Sequence, residues 1–170
     1  MAHIFGSGPH KGKNVARLAL TDYLHLKNLL SYRKGGTDDL TLEIEDVVHK
    51  LNNFVPQIRC QDGCNKTAEY LTIIVERGKI YNPYKGEDIY TVTGLSVSPI
   101  YAWCEEHKDR TAYTSKAIPY EIKFDTLEVF RGDPKNVTSR VLDALVACTG
   151  FSGKKTNKRC EDLINNLPQK

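Results

Sequence analysis

Two short segments constrain this chain more than anything else in it: Cys60-Gln61-Asp62-Gly63-Cys64 and, further along, Cys104-Glu105-Glu106-His107. Each spacing, Cys-x3-Cys and Cys-x2-His, lets one tight turn aim two ligand atoms at one point. Together they offer a Cys3His set, which fills a tetrahedral zinc shell and leaves no open position. Two other readings compete. A disulfide framework is disfavoured by the odd count of 5 cysteines and by the segment MAHIFGSGPHKGK, which lacks the apolar stretch of a secretion signal. Alternatively, the three thiols are small core residues and His107 a surface imidazole. Cys60 and Cys64, however, lie among Arg59, Gln61, Asp62, Asn65 and Lys66, a poor setting for core thiols. The pattern therefore predicts a structural zinc ion held by Cys60, Cys64, Cys104 and His107. Cys148 and Cys160 fall in helical apolar stripes and read as core.

A chain of 170 residues, 40% hydrophobic and 26% charged, is long and apolar enough to bury a core. Its apolar runs are far short of the roughly 20 residues that cross a bilayer, so a cytoplasmic protein with no membrane partner is expected. The net charge of +3 permits an anionic partner but is well below that of a dedicated nucleic-acid binder. Local clusters must make that case.

Thr21-Asp22 reads as the cap of a helix carrying Tyr23, Leu26, Leu29 and Leu30 and ending at Gly35-Gly36. Thr37 reads as the cap of a second, with Leu40, Ile44, Val47, Val48 and Leu51 at helical spacing up to Pro56. After it the texture changes. YLTIIVERGKIY predicts a hairpin turning at Gly78, DIYTVTGLSV another strand, and IPYEIKFDTLEVF one or two strands. Helices return over residues 138–148 and again with Cys160, Leu163, Ile164 and Leu167 on one face. Helices first, antiparallel strands in the middle and helices last predict an α+β fold, with a central β module pinned by zinc. The expected organisation is a Gly/Lys-rich segment over 1–36 and the zinc-pinned module with its flanking helices over 37–170, the two forming one unit.

In the first segment, Gly6, Gly8 and Gly12 are expected to leave backbone N–H groups accessible beside His10, Lys11, Lys13 and Arg17, a combination suited to phosphate. A solvated basic loop is the plainer alternative. It is not a P-loop, because Asn14 follows Gly12-Lys13. The order Phe5-Gly6, His10-Lys11-Gly12-Lys13, Val15, Leu18 and Asp22-Tyr23-Leu24 resembles the short FGKHKGK…DYLxWL domain found alone in small bacterial proteins and at the C-terminus of some exodeoxyribonuclease X and related exonucleases. The likeness covers about residues 3–30. It implies an accessory module of DNA metabolism whose Lys-Gly-Lys turn contacts a nucleic-acid backbone. It does not imply nuclease chemistry, which in those relatives belongs to a separate domain. This chain inserts Ser7-Gly8-Pro9 and has His25 where that family usually carries an aromatic.

A second basic cluster, Lys154, Lys155, Lys158 and Arg159, precedes and opens the last helix, where unpaired N–H groups add to side-chain charge. Tyr81, Tyr84, Tyr101 and Trp103 offer stacking surfaces for unpaired bases, or pack against the sheet. Glu121 and Lys123 form half of a restriction-type nuclease motif, with Asp88 and Asp109 as candidate partners; alternating charge on an outer strand face explains them equally well. Asp39, Glu43 and Asp46 read as a solvated helix face. The expected function is a non-catalytic, nucleic-acid-associated accessory protein of bacterial or phage type. Its partner is DNA in preference to RNA, or a protein of DNA metabolism. The alternatives are a protein-binding adaptor or inhibitor, and a metal-dependent nuclease.

Overall fold

The computed structural model describes residues 2–113, 117–133 and 135–170. The fold is α+β: five α-helices and a three-stranded antiparallel sheet among the described residues. The helices are α1 (Val15–Ala19), α2 (Tyr23–Tyr32), α3 (Asp39–Asn53), α4 (Lys135–Cys148) and α5 (Asn157–Asn165), and the strands β1 (Tyr70–Asn82), β2 (Glu87–Trp103) and β3 (Ala117–Glu121). No helix among the described residues is long and apolar enough to cross a membrane.

Side-chain caps start four of the helices. Asn14 accepts from the Arg17 amide, Asp22 from His25 and Thr156 from Arg159. Asp38, rather than Thr37, caps α3: it accepts from the Thr41 amide at 3.2 Å and from the Thr41 hydroxyl at 2.6 Å. The apolar stripes then meet. Val15 and Leu18, Tyr23 and Leu26, Ile44 and Leu51, Val141 and Leu145, and Cys160 and Ile164 are buried in one core continuous with Leu71 and Ile73 of the sheet. Cys148 and Cys160 are fully buried there, and burial pushes the Cys148 thiol up to about 12.

The strand order is β2-β1-β3. The expected turn at Gly78 does not occur: Gly78 pairs with Thr91 inside a continuous ladder. The chain reverses at 83–86, where the Asn82 side chain accepts from the Tyr84 amide and Gly86 takes φ +67°, a conformation that favours glycine. Register shifts between Leu71 and Thr72 and between Glu76 and Arg77 put extra residues into β2. The first shift skips Pro99, which has no N–H to give the ladder. Among the described residues β3 pairs with Tyr70–Ile74. It is shorter than IPYEIKFDTLEVF predicts, because the chain turns after Glu121 into a 3-10 helix, Phe124–Phe130, whose Phe124, Leu127 and Phe130 are buried. Their spacing of three suits that tighter helix.

The two ends of the chain are tied down by polar contacts. The Asn14 side chain reaches the Asn157 carbonyl (3.3 Å) and Glu161 (3.3 Å), the Asn157 side-chain oxygen accepts from the Asn14 amide (3.3 Å), and Asn157 Nδ2 donates to the Gly12 carbonyl (2.8 Å). At the other end Val55 donates to Pro168 and Lys170 to Asn53.

Candidate metal centre and basic surface

Cys60 opens a small knuckle bounded by the Arg59–Thr67 bridge, closed by Cys60 N–H to the Lys66 carbonyl at 2.9 Å and Gly63 N–H to the Cys60 carbonyl at 3.4 Å. Gly63 (φ +73°) and Asn65 (φ +56°) turn it sharply enough to bring Cys64 back alongside Cys60. Cys104 directly follows β2 and starts a 3-10 helix, Glu105–Tyr113, in which His107 N–H meets the Cys104 carbonyl at 3.0 Å. Gln61 N–H to Ala102 and Glu69 N–H to Trp103 dock the knuckle against the end of β2.

These turns bring the four expected ligands together. One ligand atom from each of Cys60, Cys64, Cys104 and His107 lies within 4.8 Å of the others. Cys64 Sγ is 3.8 Å from Cys104 Sγ, and His107 Nδ1 is 3.5 Å from Cys60 Sγ and 3.4 Å from Cys104 Sγ. A disulfide needs sulfurs about 2.05 Å apart, and all five cysteines are free. The cluster is close enough to hold a metal ion.

Its surroundings suit a cation. Cys60 and Cys104 are buried, with Trp103 packed beside them. Burial raises the Cys60 thiol, but the backbone N–H groups of Cys104 and Asp62, with His107 and Cys64, outweigh it and bring it down to about 6. Burial, with Cys60 and Cys64 alongside, pushes the Cys104 thiol up. One thiolate is favoured and further charge resisted unless a cation offsets it. The imidazole is oriented from behind: His107 Nε2 is 3.2 Å from Asp62 Oδ2, and Asp62 also pairs with Arg110. A carboxylate on the far nitrogen fixes the tautomer that leaves Nδ1 free to ligate. Asp62 was not singled out in the sequence, although an acidic residue between two knuckle cysteines is the available signal. Lys66 pairs with Glu106 across the two knuckles.

The N-terminal basic segment forms a compact turn. Gly8 (φ +73°) and Gly12 (φ +80°) reverse it, and Phe5 and Lys13 pair across it. Of the three glycine amides expected to be accessible, that of Gly12 is taken by the Phe5 carbonyl, while Lys11 donates to Gly8 and Lys13 to His10. Side chains therefore carry its charge. Lys11 is exposed, Lys13 reaches Thr21 Oγ1 at 3.2 Å, and burial, with His25 and Lys13 nearby, keeps His10 below the ordinary histidine value. The second cluster adjoins the first through the Asn157 contacts. Burial pushes the Cys160 thiol up against the pull of Arg17, Lys155 and Arg159, which all stand close enough to act on it. Lys154 and Lys158 are exposed, Lys155 pairs with Asp143 at 2.7 Å, and Arg159 lies over the Phe151 ring.

Glu121 is exposed at the end of β3, and Lys123 lies beyond the strand, so they do not share a strand face. Among the described residues Glu121 falls in neither group of convergent metal-ligating side chains. The Asp88 side chain lies outside the described residues. Glu43 accepts from the His3 amide and Asp46 pairs with Lys50. Tyr84 is 97% exposed and Tyr81 62%, whereas Trp103 is buried and donates to Thr72 Oγ1 at 2.8 Å.

No family model, no curated protein and no solved structure matches this chain.

Proposed function

We propose that this protein is a zinc-stabilised, non-catalytic accessory protein that binds nucleic acid, DNA in preference to RNA, through the basic face built from its N-terminal turn and the start of α5. The observation that carries the reading is the set of contacts joining Asn14 and Gly12 to Asn157. They unite Lys11, Lys13 and Arg17 with Lys154, Lys155, Lys158 and Arg159, clusters that are weak alone. The N-terminal resemblance to a module of DNA metabolism points the same way. Zinc is supported by the ligand spacing. Zn–S and Zn–N bonds of about 2.3 and 2.05 Å at tetrahedral angles separate two sulfurs by about 3.8 Å, and a sulfur from a nitrogen by about 3.6 Å. The distances here are 3.8 Å and 3.4–3.5 Å. A closed shell has no position for substrate, so zinc in this reading holds the β module and does no chemistry.

Binding of single- and double-stranded DNA and RNA at two salt concentrations tests the partner. Replacing Lys11 and Lys13 with Ala should weaken binding across sequences and make the salt slope on duplex shallower by about 2 units, at about 0.9 per lost phosphate contact. Unchanged binding in that variant and in one lacking the positive charges of 154–159 would overturn the proposal. It would favour the adaptor reading, which the exposed Tyr81 and Tyr84 at the hairpin end support.

A further inference from the structure

We propose that His10, Asp22 and His25 form a second, open metal site, distinct from the cysteine cluster and suited to a divalent transition ion. One ligand atom from each lies within 4.8 Å of the others. His10 Nε2 is 3.7 Å from Asp22 Oδ2, too long for a hydrogen bond. Two N/O ligands of one tetrahedral ion stand about 3.4 Å apart, so a small side-chain movement seats them on a shared cation. Asp22 has an oxygen to spare: Oδ1 caps α2 by accepting from the His25 amide at 3.2 Å, while Oδ2 faces His10. The imidazoles of His10 and His25 stand with ring centroids 4.3 Å apart. Among the described residues His10 Nδ1 is buried without a hydrogen-bond partner, so Nε2 is the ring nitrogen turned toward Asp22.

The scaffold holds these groups in place. His10 ends the Gly8–His10 3-10 turn, whose entry and exit are set by Gly8 and Gly12, and its carbonyl receives the Lys13 amide. Asp22 and His25 lie at the N-terminus of α2. Two imidazoles and one carboxylate select zinc, cobalt or nickel over magnesium or calcium, which want all-oxygen shells. Three protein ligands leave at least one position to solvent, the arrangement of an open site in contrast to a closed Cys3His shell.

The test is titration of Co2+ into protein whose cysteine cluster is already filled with zinc. A second equivalent should bind with weak visible bands of nitrogen and oxygen ligation and without the thiolate charge-transfer band. In the parent, bound Co2+ should shift the ring protons of His10 and His25 and not those of His49. His10→Gln and His25→Ala should each lose the second equivalent. Asp22→Asn should weaken it while keeping the helix cap, since Asn caps as well as Asp. A thiolate band on cobalt in the cysteine cluster of each variant shows that it still folds. Failure of the parent to take a second equivalent, unperturbed ring protons of His10 and His25, or undiminished binding in His10→Gln and His25→Ala would each overturn the proposal. None of these results depends on nucleic-acid binding.

Discussion

Asp62 does for His107 what no ligand does: it holds the ring's far nitrogen at 3.2 Å so that Nδ1 faces the thiols. Asp62→Asn keeps the shape and loses the charge. It should lower zinc affinity by about 10–100-fold, measured by competition with a chromophoric chelator, with the fold intact at excess zinc. Cys104→Ala removes a ligand outright and should abolish stoichiometric binding. The convergence of Cys60, Cys64, Cys104 and His107 was legible in the sequence, because it lies in two short spacings among polar neighbours. The supporting carboxylate was not. Which of the residues between Cys60 and Cys64 faces His107 depends on how Gly63 and Asn65 turn the knuckle, and a spacing does not encode that.

Between elements, a polar network joins α2, α3 and the 3-10 helix Phe124–Phe130. Tyr23 donates to Asp125 at 2.7 Å, Asn52 donates to the Tyr23 oxygen at 2.7 Å and accepts from the Asp125 amide at 2.8 Å, and Lys27 pairs with Asp125 at 3.0 Å. Tyr23 is buried, so Tyr23→Phe should cost about 1.5–3 kcal/mol in urea unfolding, the worth of a hydrogen bond to a charged group. Burial raises the Asp125 carboxyl, but Tyr23 and Lys27 win and hold it below its ordinary value. A carboxyl depressed in the folded state stabilises fully above its unfolded value of about 4, and that contribution is lost as the pH falls through the folded value. Asp125→Asn should therefore flatten part of the acid limb of stability below about pH 5. The helices were legible because their apolar residues recur at helical spacing beside capping side chains. The strand boundaries were less so. Gly78 looked like a turn, yet a glycine can sit inside a ladder, and the stronger signal was Asn82 four residues before Gly86. Likewise Phe124, Leu127 and Phe130 share β-like composition with a strand but carry the spacing of a 3-10 helix.

For the molecule as a whole, the cysteine cluster forms a core of its own, in which Trp103 is the large apolar member among the described residues. Chelation should lower the melting temperature and loosen this end of the sheet. Trp103, the only tryptophan in the chain, should report the loss as a fluorescence change in step with zinc release. Among the described residues the larger core is a separate cluster from these ligands, so the helical circular dichroism should survive better than the Trp103 signal. The basic face has a different point of failure. Asn157→Ala changes no charge, yet it frees the Gly12 carbonyl and the Asn14 amide, and should reduce nucleic-acid affinity by uncoupling the two clusters. A polar pair separated by most of the chain leaves no periodicity, so this union could not be read from the residues.

The stitching of Asn14 to Asn157 also sets a schedule. On the ribosome the N-terminal turn and α1 emerge first, but the partners that satisfy Asn14, buried in the finished fold, are made only after the whole sheet has been synthesised. Until then the first helices face an unfinished core, since Cys160 and Ile164 have not arrived. Contacts between residues so far apart in sequence close late and slow the final step. The first helices therefore wait in an incomplete state until α5 emerges, and chaperone contact with the nascent chain is to be sought at Val15–Leu20 before that point.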